Sequence, residues 1–142
     1  MSNALCQTTL IRAARAVDAL AITEDAWMLV AGDTILAVGS GTDAPPAHRL
    51  VDLGNATLVP GFIDIHGHGG AQGAYDNGPD EIAAALTMHR QHGTTRAVLS
   101  LVANPFPSLA RSLDTIRDVM SSDPLVIGAH LEGPTCGSFG AP

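Results

Sequence analysis

The order of segments in the second half of the chain constrains the fold more than any other feature of the sequence. Three short apolar runs, which are typical of buried β-strands, occur in residues 58–70, 94–102 and 125–131. Between them, residues 79–92 and 108–122 have the composition and periodicity of helices. Such an order favours parallel strands joined by right-handed crossovers. The sequence therefore predicts an α/β fold.

Both predicted helices have recognisable ends. Pro79 suits the first turn of a helix, and Gly93 follows the first helix where a stop is expected. Ser108 is predicted to cap the second helix, and Asp123, with the proline after it, to close that helix. One face of the second helix is apolar at helical spacing and is predicted to be buried. Its members are Leu109, Leu113, Ile116 and Met120.

Residues 10–53 show a different pattern, in which short β-like segments alternate with glycine- and proline-rich turns. The clearest segments are residues 27–30, 34–38 and 49–53. We expect them to form a small antiparallel sheet, because strand, turn and strand follow one another closely. The chain is thus divided into an amino-terminal β segment, residues 1–57, and an α/β part, residues 58–142.

The first apolar run, LVPGFIDIHGHGG, contains a candidate metal site. Asp64, His66 and His68 occupy alternate positions, so their side chains are expected on one side of the strand. Two imidazoles one residue apart can bind one metal ion together, and the glycines around them allow a sharp turn. An isolated His-x-His pair also arises by chance, so the motif alone leaves both interpretations open.

The third strand supplies the carboxylate that makes a metal site the better interpretation. Ligands of parallel sheets bind at the carboxyl ends of the strands, so Glu132 is expected on the same rim as His66 and His68. Two imidazoles and a carboxylate can hold one divalent ion, and a carboxylate can also bridge two. Such an ion lowers the pKa of bound water toward ~7 and polarises a carbonyl. The sequence predicts metal-assisted amide hydrolysis.

The remaining candidate residues are not expected to bind the metal themselves. Asp64 lies one step deeper than the histidine pair and is expected to make a structural or supporting hydrogen bond rather than to bind metal. His130 is expected either to hydrogen-bond a ligand or substrate, or simply to be packed. His89 and His92 lie three apart on the first helix and are expected to be surface or helix-end residues. His48 is expected on the surface.

Composition and charge exclude several classes of partner and location. Fourteen acidic residues against seven basic ones give a net charge of −7, which disfavours nucleic acid or an anionic membrane as partner. No apolar run approaches the ~20 residues of a membrane span, and the amino terminus lacks the pattern of a signal peptide. Cys6 and Cys136 have no paired spacing, so we expect free thiols and a cytoplasmic protein.

Several stretches resemble a known superfamily. Residues 59–68, VPGFIDIHGH, resemble the signature with which amidohydrolase-superfamily enzymes enter their metal-binding (β/α)₈ barrel. Residues 30–39 and 49–61 resemble the β segments that precede that barrel. A narrower resemblance, through HLEGP at residues 130–134 and HRQHGTT at residues 89–95, is to the N-acetylglucosamine-6-phosphate deacetylases. It runs over nearly the whole chain.

The resemblance implies a fold, a metal centre and a reaction. The fold would be a small β-sandwich segment followed by the first three βα units of an incomplete (β/α)₈ barrel. Glu132 would be a ligand of zinc or a similar divalent metal, and His66 and His68 would hold a second ion in members that have one. The family removes acetate from N-acetylglucosamine 6-phosphate, with an aspartate from a late barrel strand as base and acid, and usually forms homodimers.

The departures from the family are equally specific. A (β/α)₈ barrel takes about 250 residues, whereas this chain has 142. The later metal ligands and the catalytic aspartate would lie beyond Pro142, so we expect a truncated or incomplete sequence and no deacetylation by the isolated chain. The expected substrate-contact segment after HLEGP has only a weak counterpart, residues 140–141. Two alternatives stay open: another amidohydrolase acting on a cyclic amide, and a non-catalytic metal-binding remnant.

Overall fold

Residues 7–133 are described by the computed structural model. They form two units that divide between Pro60 and Gly61. Cys6, Cys136 and residues 140–141, on which parts of the sequence analysis rest, lie outside the described residues, as does the proline of the HLEGP motif.

The first unit is a single five-stranded sheet in the described part of the chain. Its strands are β1 (Thr8–Val17), β2 (Ile22–Ala31), β3 (Thr34–Ser40), β4 (Arg49–Asp52) and β5 (Thr57–Leu58). The order across the sheet is β3-β2-β1-β4, and β5 also pairs with β1. All three predicted β segments are therefore strands, and β1 is a further strand in the same region.

The expectation of an antiparallel sheet is wrong for two of these strands. β1 pairs antiparallel with β2, and β2 with β3, but β4 and β5 both run parallel to β1. The reason lies in the loop before β4, residues 41–48. It carries the chain past β2 and β1 to the other side of β1, where β4 begins in the direction in which β1 runs. The sheet is consequently mixed.

Trp27 of β2 packs against β3 in the first sheet. The ring lies opposite Gly39 of β3, and its Nε1–H donates a hydrogen bond of 3.2 Å to the Ser40 carbonyl. A Cβ atom at Gly39 would lie 2.3 Å from the ring, far inside contact distance. Glycine is therefore needed at this position because the indole occupies the space of a side chain.

The second unit contains the alternating strands and helices that the sequence predicts. Its elements are β6 (Phe62–Gly67), β7 (Gly69–Gly70), β8 (Gly73–Ala74), a 3₁₀ helix (Tyr75–Asn77), α1 (Pro79–Gln91), β9 (Thr94–Leu101), α2 (Phe106–Ser122) and β10 (Val126–Leu131). The sheet order is β10-β9-β6, and both pairings are parallel. The predicted α/β class and the parallel arrangement are confirmed.

The core of the second unit lies between the sheet and the two helices. The buried cluster comprises Tyr75, Ile82, Ala85, Leu86, Ala97, Leu99, Leu101, Leu109, Ile116, Leu125 and Val126. The predicted apolar face of α2 is correct for Leu109 and Ile116, but Met120 is 40% exposed. Val119 packs against the cluster instead. In the last turn of α2, the residue three positions after Ile116 therefore faces the core, and the residue four positions after it does not.

The beginning of α2 differs from the prediction. Pro105 is the N-cap residue and provides no side-chain hydrogen bond, so Ser108 is not the cap. Pro107 lies in the first turn, where a missing N–H leaves no intrahelical hydrogen bond unmade. The backbone N–H of Ser108 donates to the Pro105 carbonyl over 2.9 Å, which places the serine inside the helix. Proline therefore sets the start of this helix earlier than serine would.

Both outer strands of the second sheet expose apolar side chains. On β6, Phe62, Ile63 and Ile65 are 61 to 72% exposed, and on β10 Ile127 and Leu131 are more than 40% exposed. The three parallel strands between residues 61 and 133 do not close into a barrel, so the (β/α)₈ barrel and the β-sandwich remain predictions.

Neither α1 nor α2, the helices in the described part of the chain, has the length and apolar character that crossing a membrane requires.

Candidate metal centre

The parallel sheet of the second unit brings the predicted site residues to one rim. His66 lies near the carboxyl end of β6, and His68 follows the strand directly. Glu132 is the first residue after β10, and its backbone N–H donates to the Leu101 carbonyl over 3.3 Å. That hydrogen bond holds the start of the segment after β10 against the end of β9. The three side chains therefore project from the ends of β6 and β10, on the same rim of the sheet and on either side of β9.

The side chains of this rim meet at one carboxylate oxygen. Oε1 of Glu132 lies 3.1 Å from Nε2 of His66 and 3.0 Å from Nε2 of His68. The three groups can offer ligand atoms that all lie within 4.8 Å of one another. Between residues 7 and 133 no second group of three histidine, cysteine, aspartate or glutamate side chains converges in this way. The expected convergence is thus present.

The geometry and chemistry of this cluster suit a divalent metal. Zinc binds imidazole nitrogen and carboxylate oxygen at about 2.0–2.2 Å in tetrahedral geometry, which puts neighbouring ligand atoms about 3.3 Å apart. The observed N–O separations of 3.0 and 3.1 Å are close to that spacing. The side chains are 37 to 52% exposed, so an ion could enter from solvent without any rearrangement of the core. The donor set therefore fits the group that the sequence implies.

Asp64 hydrogen-bonds to the backbone of the site and does not belong to the converging group of candidate ligands. Its Oδ1 accepts a hydrogen bond of 3.1 Å from the backbone N–H of His66. A Cβ atom at Gly67 would lie 2.6 Å from Oδ2, so the carboxylate packs closely under the turn between the two histidines. The predicted structural hydrogen bond of Asp64 is confirmed. It fixes the backbone from which His66 projects.

His130 lies beside the cluster. Its ring centroid is 4.8 Å from that of His66, and the two rings are tilted by 51°. The side chain is exposed, so it is not a core histidine. It is therefore an exposed neighbour of one of the candidate ligands.

Tyr75 is a residue of this region whose importance the sequence did not reveal. It follows the glycine-rich turn and is only 1% exposed. Burial, and secondly the negative charge of Asp64, raise the pKa of Tyr75 to about 12. Its hydroxyl has no hydrogen-bond partner among the described residues. An aromatic residue in a glycine-rich loop directly after the histidine pair was the available signal, and it predicts a substrate-facing loop rather than a buried ring.

The three candidate ligands lie on an open rim rather than in a cavity. A cavity of about 390 Å³ lies elsewhere in the second unit, between the 3₁₀ helix and α2. Polar residues such as Asp76, Asn104 and Arg111 line it, and none of the three candidate ligands does. The candidate ligand cluster therefore lies at an accessible edge of the sheet.

Comparison with known proteins gives partial but specific similarities. No family model matches the chain. The structure of a mutant N-acetyl-D-glucosamine-6-phosphate deacetylase from Mycobacterium smegmatis, in complex with N-acetyl-D-glucosamine-6-phosphate, superposes with a TM-score of 0.80. It is 38% identical, and the match covers 90% of this chain and 33% of that protein.

Curated relatives match shorter portions. The Bos taurus N-acetylglucosamine-6-phosphate deacetylase is 34% identical over 90 residues, which is 58% of this chain and 22% of that enzyme. An N-acetylgalactosamine-6-phosphate deacetylase from Shewanella sp. is 29% identical over 92 residues, 63% of this chain and 23% of that enzyme. An imidazolonepropionase from Deinococcus radiodurans is 47% identical, but only over 49 residues, 34% of this chain and 12% of that enzyme.

These similarities have a common direction and a common limit. The relatives are hydrolases of the amidohydrolase type, so a hydrolase is supported. The chain spans a third or less of the length of each relative described above. The resemblance expected from the sequence is confirmed: over the residues it has, this chain is similar to the amino-terminal region of N-acetylglucosamine-6-phosphate deacetylases, which are amidohydrolase-superfamily enzymes.

Proposed function

We propose that His66, His68 and Glu132 hold one or two divalent metal ions, zinc or a similar metal, in a hydrolytic centre. The reaction is the hydrolysis of the acetamide of N-acetylglucosamine 6-phosphate to glucosamine 6-phosphate and acetate by the whole protein. The observation that carries this proposal is the approach of two imidazole Nε2 atoms to one oxygen of Glu132, at 3.1 and 3.0 Å.

A metal bound by these residues would polarise the amide carbonyl and lower the pKa of water toward about 7. The residues of this chain have distinct tasks around it. Neutral imidazoles of His66 and His68 offer lone pairs, and the carboxylate of Glu132 partly neutralises the charge of the ion. Asp64 keeps the backbone N–H of His66 engaged, so the ring of His66 projects from a fixed point.

The identity of the substrate rests on similarity. The Mycobacterium smegmatis enzyme that superposes over 90% of this chain was solved with N-acetyl-D-glucosamine-6-phosphate. Because the Shewanella relative is named for the galactosamine sugar phosphate, both sugars should be tested. The general base implied by the resemblance is an aspartate of a later strand than β10. A homodimer of the whole protein and a cytoplasmic location complete the proposal.

The first experiment tests the metal centre directly. The chain, stripped with a chelator, is titrated with zinc by calorimetry, alongside Glu132→Gln and a matched control, Glu24→Gln, which changes an exposed carboxylate of β2. We expect Glu132→Gln to weaken zinc binding at least tenfold, since even supporting residues of metal sites contribute that much. The control should bind as the original chain does. Equal affinity of all three proteins would remove Glu132 from the centre.

The second experiment tests the reaction. We expect no acetate release from N-acetylglucosamine 6-phosphate by the purified 142-residue chain with zinc, because the proposed base lies on a later strand. A longer protein that contains this sequence should release acetate. Turnover by the short chain would contradict the assignment of the base. A longer protein inactive on both acetylated sugar phosphates would overturn the deacetylase proposal.

A second candidate, hydrolysis of a cyclic amide by another amidohydrolase, is favoured by the 47% identity to an imidazolonepropionase. That match covers 34% of the chain, whereas the match to the deacetylase structure covers 90%. The longer protein should therefore be assayed on a cyclic amide as well as on the acetylated sugar phosphates. Activity on the cyclic amide alone would favour this candidate, and metal binding without either activity would favour a non-catalytic protein.

A further inference from the structure

The short hairpin directly after His68 packs on helix α1. The hairpin, residues 69–74, consists of β7 and β8, which pair antiparallel. The backbone N–H of Tyr75, just beyond it, donates to the carbonyl of His68 over 3.0 Å. The residue that follows the hairpin is thus hydrogen-bonded to the candidate ligand that precedes it. Any displacement of the hairpin would therefore also move the backbone of His68.

His89 of α1 holds the first strand of this hairpin. Its Nε2 lies 3.0 Å from the carbonyl oxygen of Gly69, the residue next to His68. A carbonyl oxygen only accepts, so Nε2 of His89 must carry the hydrogen and donate it. The side chain is partly buried and lies in the last turn of α1. The expectation of a helix-end position is confirmed for His89, but its side chain is half-buried rather than on the surface, because the hairpin covers it.

Glu81 holds the other strand from the first turn of the same helix. Its Oε2 accepts hydrogen bonds from the Ala74 N–H over 2.8 Å and from the Asn77 amide over 2.9 Å. These bonds, that from Ala74 first, lower the pKa of the Glu81 carboxyl, so it stays ionised and accepts strongly. Helix α1 therefore holds both strands of the hairpin. His89, in the last turn of α1, bonds to β7, and Glu81, in the first turn of α1, bonds to β8.

The packing between hairpin and helix leaves no room for side chains. A Cβ atom at Gly70 would lie 2.2 Å from Cε of Met88 and 3.1 Å from Nε2 of His89. One at Gly73 would lie 2.9 Å from the carbonyl oxygen of Glu81. Glycine at both positions brings the backbone close enough for the two anchoring hydrogen bonds to form.

His68 depends on this anchoring because its own ring lacks a second partner. A ligating histidine commonly donates from its other nitrogen to a carboxylate or carbonyl, and that bond orients the ring. Nδ1 of His68 is buried and has no hydrogen-bond partner among residues 7–133. Apart from the contact of its Nε2 with Glu132, the orientation of the His68 ring is therefore set by its backbone and by packing.

We propose that His89 is a positioning residue of the metal centre. By donating its Nε2–H to the Gly69 carbonyl, it fixes the backbone next to His68 and so holds the His68 imidazole toward Glu132. As far as it concerns metal affinity, this inference rests on the proposed function. The hydrogen bond and its effect on the hairpin can be tested without metal.

The test compares three variants of the 142-residue chain. His89→Leu removes the donor at similar volume, and His89→Gln keeps an N–H that can reach the same carbonyl. His92→Leu is the matched control, because His92 lies at the exposed end of the same helix and its ring contacts only the Met88 carbonyl in the hydrogen-bond pattern of the described residues. Zinc affinity is measured by calorimetry, and cobalt absorption reports the geometry of the ligands.

We expect about a tenfold loss of zinc affinity in His89→Leu, the low end of the effect of such supporting partners. His89→Gln should recover most of the loss and restore the cobalt spectrum, whereas a purely space-filling role would favour leucine over glutamine. His92→Leu should match the original chain. If the original chain binds zinc and His89→Leu binds it equally well, the inference is overturned.

A metal-free readout separates this inference from the proposed function. Nitrogen-15 NMR of the stripped chain should show His89 as the Nε2–H tautomer, and the Tyr75 amide should exchange faster with solvent in His89→Leu than in His92→Leu. The opposite tautomer overturns the inference whether or not zinc binds, and should His89→Leu fail to fold, the tautomer and the glutamine variant decide. Correct NMR behaviour in a chain that binds no zinc leaves the anchoring intact and refutes the metal centre.

Discussion

Tyr75 gives a sharp test of the packing beneath the candidate metal centre. It is the single tyrosine of the chain, and it is 1% exposed. Burial first, and the charge of Asp64 second, raise the pKa of Tyr75 from 10.0 to about 12. The folded chain therefore keeps the phenol protonated at a pH where the unfolded chain loses the proton. The contribution of Tyr75 to the free energy of unfolding is therefore fully present below pH 10 and is lost as the pH rises toward 12.

The size of this effect follows from the same values. One pKa unit corresponds to about 1.36 kcal/mol, so the rise is worth at most about 2.7 kcal/mol, and less if solvent reaches the ring. The chain has no lysine, so Tyr75 is the main side chain that changes charge in this range. Tyrosinate absorbance is recorded against pH, with circular dichroism on the same metal-free samples. Since α1 and α2, the helices of the described residues, both lie in the second unit, the helical signal reports its folding.

The causes of the shift can be separated by a variant. In Asp64→Asn we expect the pKa of Tyr75 to fall but to stay above 10.0, because burial is the larger cause. Tyrosinate absorbance that rises near pH 10 while the helical signal is retained would refute the reasoning. So would an Asp64→Asn chain whose tyrosine titrates at its ordinary value, because the charge rather than burial would then dominate.

Two further predictions concern the packing of each unit. Gly39→Ala should destabilise the first unit by about 1–2 kcal/mol, since a clash of about 1–3 kcal/mol with Trp27 is only partly offset by the lower entropy of the unfolded chain. Urea unfolding, followed by the fluorescence of the single tryptophan, Trp27, measures this change. A variant more stable than the original chain would contradict the clash. Leu99→Ala should cost about 2–5 kcal/mol in the second unit, because Leu99 is fully buried in β9. Loss of helical circular dichroism in urea measures this second change, and a cost below about 1 kcal/mol would show that the site relaxes.

The convergence of His66, His68 and Glu132 could be predicted because it depends on sheet geometry alone. Parallel strands joined by helices place their carboxyl ends on one rim, so residues far apart in sequence meet without any knowledge of side-chain packing. The periodicity of α2 was equally informative about which of its positions face the core, with the exception of Met120. These features are local or follow from a general rule of chain direction.

Other features depend on long-range packing that the sequence does not express. The parallel pairing of β4 with β1 follows from the path of residues 41–48, which contains no signal for the edge that the next strand will choose. The bond from His89 to Gly69 requires a particular rotation of α1 against the hairpin. A histidine in the last turn of a helix is equally compatible with a surface position. Neither arrangement could be derived from spacing.

The geometry of the candidate centre is set by strands β6, β9 and β10 together. β9 lies between the other two, and its residue Leu101 accepts the hydrogen bond from the Glu132 backbone. His66 depends on the pairing of β6 with β9, whereas Glu132 depends on the pairing of β10 with β9. The three donors can therefore meet without a closed barrel, since each is fixed through the central strand. The distances between these donors require only the strand pairings already present in this chain.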